Sequence, residues 1–131
     1  MEISLADADR IIARAIAKAE ELNIRVSVAV VDAGGRLLAF KRMDGAAWNT
    51  IYGCQGKAIA SVGFARPSAE LQERADLPIF RGIIAAEGGH MIPHQGALPI
   101  MRDGYAIGAC GVGGGTSQHD EECARAAIEG L

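Results

Sequence analysis

The apolar positions change period several times along the chain, and each change predicts a new element. Across residues 4–23, Leu5, Ala8, Ile12, Ala15, Ile16, Ala19 and Leu22 recur at spacings of three and four, with Asp7, Asp9, Arg10, Arg14, Lys18 and Glu21 between them. That is the stripe of an amphipathic helix. Ser4 stands where an N-cap is needed, Asp7 lies near the positive end of the dipole, and Asn23 can end the helix. Residues 25–33 read RVSVAVVDA, apolar or β-branched at most positions, as in a strand covered on both faces. Gly34-Gly35 predicts a two-residue hairpin turn, and RLLAFKR at 36–42 the returning strand.

The Ala-rich segment 46–64 predicts a second helix despite Gly53, Gly56 and Gly63. Each such glycine costs about 1 kcal/mol against Ala in an exposed helix, so each asks for a packing or ligand reason. A shorter helix over 67–75 has Ser68 as its candidate cap. Residues 77–95 are broken by Pro78, Gly82, Gly88, Gly89 and Pro93, which predicts part helix, part loop, and a place for a site. Residues 98–102 and 105–112 form a second hairpin around Asp103-Gly104, a type I′-style turn. A loop over 113–116 leads to a closing helix over 117–130, with Cys123, Ala124, Ala127, Ile128 and Leu131 along one stripe. Two hairpins among helices predict an α+β fold with a mainly antiparallel sheet, in two or three layers, rather than a doubly wound parallel sheet.

Composition sharpens this picture. The 131 residues predict one domain over 1–131. Seventeen Gly and 24 Ala against 5% aromatics make a small-residue chain, in which backbones can approach closely. Small side chains also bury little area, so subunit association, a homo-oligomer, is expected to supply part of the stability. Half of the chain is apolar and 22% is charged, which excludes disorder. A net charge of −3 argues against a nucleic-acid surface. Apolar runs fall far short of the ~20 residues that cross a bilayer, and no export-signal pattern opens the chain. With three cysteines, an odd number without C-x-x-C, reduced thiols in the cytoplasm are expected.

Three groups of residues suggest chemistry. Gly111 to Thr116 reads GVGGGT between a strand and a helix, but Thr116 occupies the sixth position, where a dinucleotide loop needs Gly, and no strand with a ribose-binding acid follows. What survives is a loop at Gly113 and Gly114 offering N–H groups to an anion, or simply a tight turn. His90 and His94 are separated by Pro93, which opposes a helical zinc pair, and His119 with Cys123 has no further ligands, so no metal site is expected. A His on a Gly-rich loop beside an apolar wall is either a haem axial ligand or an ordinary surface imidazole. Arg42, Asp44 and Lys57 lie among apolar or small neighbours, where a ligand carboxylate has room; the alternatives are a snorkelling Lys and a solvated Arg–Asp pair. Asp120 is on the first turn of the last helix, where helix capping competes with a catalytic role.

The segments VAVVDAGGRLLAFKRMDGA, KAIAS with Lys57, GGHMIPHQGALPI and DGYAIGACGVGGGTSQHDEECARAA resemble, in this order, the GlcG/HbpS family and the C-terminal domain of PduO proteins. The likeness covers essentially the whole chain. It implies an α/β sandwich with a roughly five-stranded antiparallel sheet, assembled into dimers or larger rings, with a pocket near a subunit interface. Carried onto this sequence, that pocket involves Arg42, Asp44, Lys57, Gly88 to His90 and the junction from Gly113 to Asp120. Two departures stand out: Gly96-Ala97 for a glycine pair adds a methyl group to that stretch, and Gly113 for a serine removes a hydroxyl from the pocket lip.

The resemblance implies two functions. One is a cofactor-free lyase or deaminase acting on an aromatic or unsaturated carboxylic acid, as in relatives that work on 4-hydroxylaminobenzoate or on enamines and imines. Arg42 or Lys57 would then hold the carboxylate, with Gly89, Gly113, Gly114 and Asp44 around the substrate, and His90, His94 or Asp120 would move protons. The alternative is a haem-binding or iron-redox accessory protein, with His90 or His94 as axial ligand. The scarcity of aromatics and the ionised cluster favour a small anionic or aromatic guest and no cofactor.

Overall fold

A computed structural model describes residues 2–131. Helix α1 is Leu5–Glu21, and the Ser4 hydroxyl caps it by accepting from the Asp7 N–H at 3.0 Å. Asn23 ends the helix as expected, left-handed at φ 56° just past the Leu22 cap. Strands β1 (Ser27–Asp32) and β2 (Leu37–Arg42) form the first hairpin. Its turn is a three-residue loop rather than the two-residue turn expected. The Asp32 N–H reaches the Arg36 carbonyl at 2.8 Å, only Gly35 takes the left-handed conformation, and the Asp32 carboxylate accepts from Gly34 and Arg36.

Helix α2 is Thr50–Phe64, four residues shorter than its Ala-rich sequence suggests. The turn after β2, with Gly45 at φ 83°, carries the chain through residues 46–49 before the helix begins. Ser68–Arg74 is a 3-10 helix. Ser68 does not cap it; its hydroxyl accepts from the Ala97 N–H at 2.9 Å and lies 3.3 Å from the Ala97 carbonyl, fastening this segment to the next strand. Helix α3 is Pro78–Ala86, with Pro at its start and Gly88 and Gly89, both left-handed, just past its end. Strands β3 (Ala97–Arg102) and β4 (Tyr105–Gly113) turn through Asp103 and Gly104, both at positive φ as a type I′ turn requires. Helix α4 is Ser117–Ile128, capped by Thr116.

The sheet is antiparallel throughout, in the order β2-β1-β4-β3. The α+β class matches the expectation, but the described residues supply four strands rather than about five. The stretch between the hairpins folds as helix and loop, because a proline and paired left-handed glycines punctuate it. Helices α1 and α4 cover one face and α2 the other, giving three layers.

Alternation along the strands divides the core. Val28 and Val30 of β1 and Cys110 and Val112 of β4 join Ile11, Ile12 and Cys123 beneath α1 and α4. Val31 and Ala109 turn the other way, onto Ala58 and Val62 of α2. A third cluster, Ala60, Leu71, Phe80 and Met91, anchors α3, whose Phe80 stacks on Phe64 with centroids 4.7 Å apart.

The approach of α2 to β4 is what the small residues permit. A Cβ on Gly111 would run into the Cys54 carbonyl and touch Ala58. Gly111→Ala is expected to destabilise the fold by about 1–3 kcal/mol, measured by urea unfolding. Gly82→Ala is the control: a Cβ there meets nothing within 4 Å, and stability should rise by about 0.5–1 kcal/mol.

Candidate functional site

Sequence spacing puts Lys57 and Asp120 far apart, and the fold brings them together. Lys57 leaves α2 and passes beneath Gly96, where an added Cβ would lie 2.5 Å from Nζ and 2.9 Å from Cδ. Its ammonium donates to Asp120 Oδ2 at 3.2 Å, with the two side chains only 7% and 3% exposed. Asp120 Oδ1 accepts from the Gly115 N–H at 2.8 Å. One carboxylate thus ties α2, the loop after β4 and the first turn of α4. The open space inferred beside Lys57 is occupied by its own counter-ion.

The other candidates lie elsewhere. Arg42 is exposed at the end of β2, paired in register with Ser27, and Asp44 is exposed in the following turn. Gly113 is buried against α2, near the Thr50 carbonyl, and Gly114 is held at φ 132°. His94 is exposed on the loop before β3. Gly89 and His90 line a hollow of about 180 Å³ with Tyr52, Gln55, Ile59 and Ile92. Of the clamp and proton-carrier candidates only His90 lines this hollow, while Lys57 and Asp120 pair with each other elsewhere. Among the described residues no group of three or more His, Cys, Asp or Glu could hold a metal ion.

Two features escaped sequence reasoning. Trp48 and Tyr52 meet edge to face at 6.2 Å, and they are 68% and 59% exposed. In a chain with one Trp and two Tyr, this places an aromatic ledge beside the His90 hollow. Their i,i+4 spacing was the available signal. The second is a larger hollow of about 480 Å³ between the β1–β2 turn, α2 and α3. Arg36 grips Glu87 at its rim through two hydrogen bonds of 3.0 and 3.1 Å across 51 residues of sequence, a pairing without any local signature. This contact raises the pKa of Arg36 and lowers that of Glu87. Tyr52, Gln55, Ile59 and Gly63 run down one side of α2, and Ile59 is a wall of both hollows.

With this geometry in view, comparison with known proteins is informative. The family described as "Haem degrading protein HbpS-like" matches residues 3–129. The chain belongs to that family. GlcG of Escherichia coli K12 is 36% identical over 106 residues, 80% of this chain and 76% of GlcG. The Klebsiella pneumoniae protein ORFY superposes with a TM-score of 0.89 at 30% identity, over 98% of this chain and 90% of that one. PduOC, crystallised as a haem complex, has a TM-score of 0.88 at 26% identity, over 100% and 96% of the two chains. The expectation of no cofactor is corrected by PduOC, a protein of this fold that was crystallised with haem. Counting few aromatics misled because the count says nothing of where they lie.

Removing one member of the buried ion pair leaves an uncompensated charge. Lys57→Met or Asp120→Asn should cost about 3–5 kcal/mol, and the double variant Lys57→Met/Asp120→Asn markedly less than the sum, read by a denaturation double-mutant cycle. Burial also pushes the Cys54 thiol up to about 12 and Cys123 up to about 11, from 9.0, and raises Cys110 as well. The folded state keeps these protons while an unfolded chain releases them above about pH 9. Stability should therefore be unaffected by the thiols below that pH and fall as pH climbs toward 12, with Ellman's reagent finding no native thiol at pH 8 and three after unfolding.

Proposed function

We propose that this chain is a haem-binding protein. The observation that carries the reading is the PduOC haem complex, whose fold matches over the full length of this chain. The chain's own residues fit the group. His90 supplies an imidazole on the lip of an apolar hollow, Ile59 and Ile92 form its wall, and Trp48 and Tyr52 offer a stacking ledge for a flat ring. A hollow of about 180 Å³ takes an edge of a macrocycle rather than its whole disc, so the ledge covers part of what remains. Haem would bring a redox-active iron to this place. His90, rather than His94, which sits outside the hollow, would hold the iron.

A ring left half covered in one protomer asks for a second wall, and self-association is the natural source. Leu77 and Ile79, at the start of α3, are exposed apolar residues available to such a contact. No helix among the described residues is long and apolar enough to cross a membrane.

Titration with micromolar haemin should give a Soret shift and quench the emission of Trp48, the sole tryptophan. His90→Ala should abolish the Soret shift and His94→Ala preserve it. Trp48→Phe should keep the band but weaken binding by about three- to tenfold. A flat titration, or a shift indifferent to His90, would remove this assignment.

A further inference from the structure

The larger hollow offers a second kind of chemistry. Its interior is apolar: Ile59, Val62 and Phe64 from α2, Ile83 from α3, and Met91. Gly34, Gly35 and Gly63 belong to its lining, and at Gly63, which is exposed, a Cβ would meet nothing within 4 Å. The polar side chains of its lining, Arg36 and Glu87, are paired with each other at the rim.

That pairing determines what the hollow can accept. A free arginine over an apolar cavity would select carboxylates, because charge-assisted hydrogen bonds are strong and bidentate. Here Glu87 already occupies two of the guanidinium N–H groups and neutralises its charge. A second carboxylate would face Glu87 with no cation left to balance it. A guanidinium carries five N–H donors, so three remain for a neutral acceptor. We infer that this hollow is a second binding site, distinct from the His90 hollow, for an uncharged, largely apolar small molecule bearing one hydrogen-bond acceptor, such as a ketone. The apolar body lies among Ile59, Val62, Phe64 and Ile83, and the carbonyl accepts from Arg36. Glu87 is the specificity-determining residue, because it excludes acids of the same shape.

The experiment uses the full chain and N-phenyl-1-naphthylamine, an uncharged probe that fluoresces on entering apolar surroundings. Saturable enhancement is expected, with acetophenone displacing the probe at about tenfold lower concentration than benzoate. Gly63→Leu fills the hollow and favours the helix; it should abolish the enhancement while leaving circular dichroism and the haemin titration unchanged. Glu87→Gln frees the Arg36 charge and should reverse the preference, so that benzoate becomes the better competitor. A merely structural ion pair would weaken both competitors alike. Absence of probe binding, enhancement that persists in Gly63→Leu, or a wild-type preference for benzoate would each overturn the inference. None of these outcomes depends on whether haem binds at His90.

Discussion

The close approach of α2 to strand β4 sets the geometry on which the rest depends. At Gly111 the sheet presents no side chain, and the Cys54 carbonyl occupies the space a methyl group would need. Gly113 continues the same surface, with the Thr50 carbonyl 3.3 Å from where its Cβ would be. Small residues on the opposing faces bring two backbones together, so dispersion and packing act over short distances without large side chains. This is how a chain with so few aromatics builds an interior. It is also why α2 lies in a fixed position along β4, and why its remaining side can serve as a wall.

From that position two consequences follow. The inner side of α2 sends Lys57 under Gly96 to meet Asp120, and a charge that would be costly alone is neutralised and hydrogen-bonded inside the protein. The outer side carries Tyr52, Gln55, Ile59 and Gly63 past two hollows of different character. One has an imidazole and exposed aromatics at its mouth, and the other a self-neutralised ion pair. The same helix thus separates a structural ionic contact from two surfaces suited to ligands.

The amphipathic period of α1, the β-branched run of β1 and the glycines of both turns were legible, because each reflects interactions between residues a few positions apart. The segments resembling GlcG and HbpS were legible too, and the family is shown. Ser68 illustrates the limit: its local context resembles a helix cap, but its hydroxyl pairs with Ala97, a partner 29 residues away. Lys57 illustrates it again, since small neighbours in sequence signalled free space that Asp120 fills from 63 residues off. The aromatic count was correct, but it carried no information on placement: Trp48 and Tyr52 stand side by side next to the His90 hollow.

What the sequence by itself determined is the succession of elements, the antiparallel hairpins, the family and the small-residue character that allows close packing. These are set by local backbone preference and by periodicity, which act within a turn or a strand. Which polar groups meet was decided only by the tertiary structure: Lys57 with Asp120, Arg36 with Glu87, Trp48 beside the His90 hollow. Pairing across the fold depends on how the layers are stacked, and desolvation forces each buried charge to find its partner wherever that stacking places one.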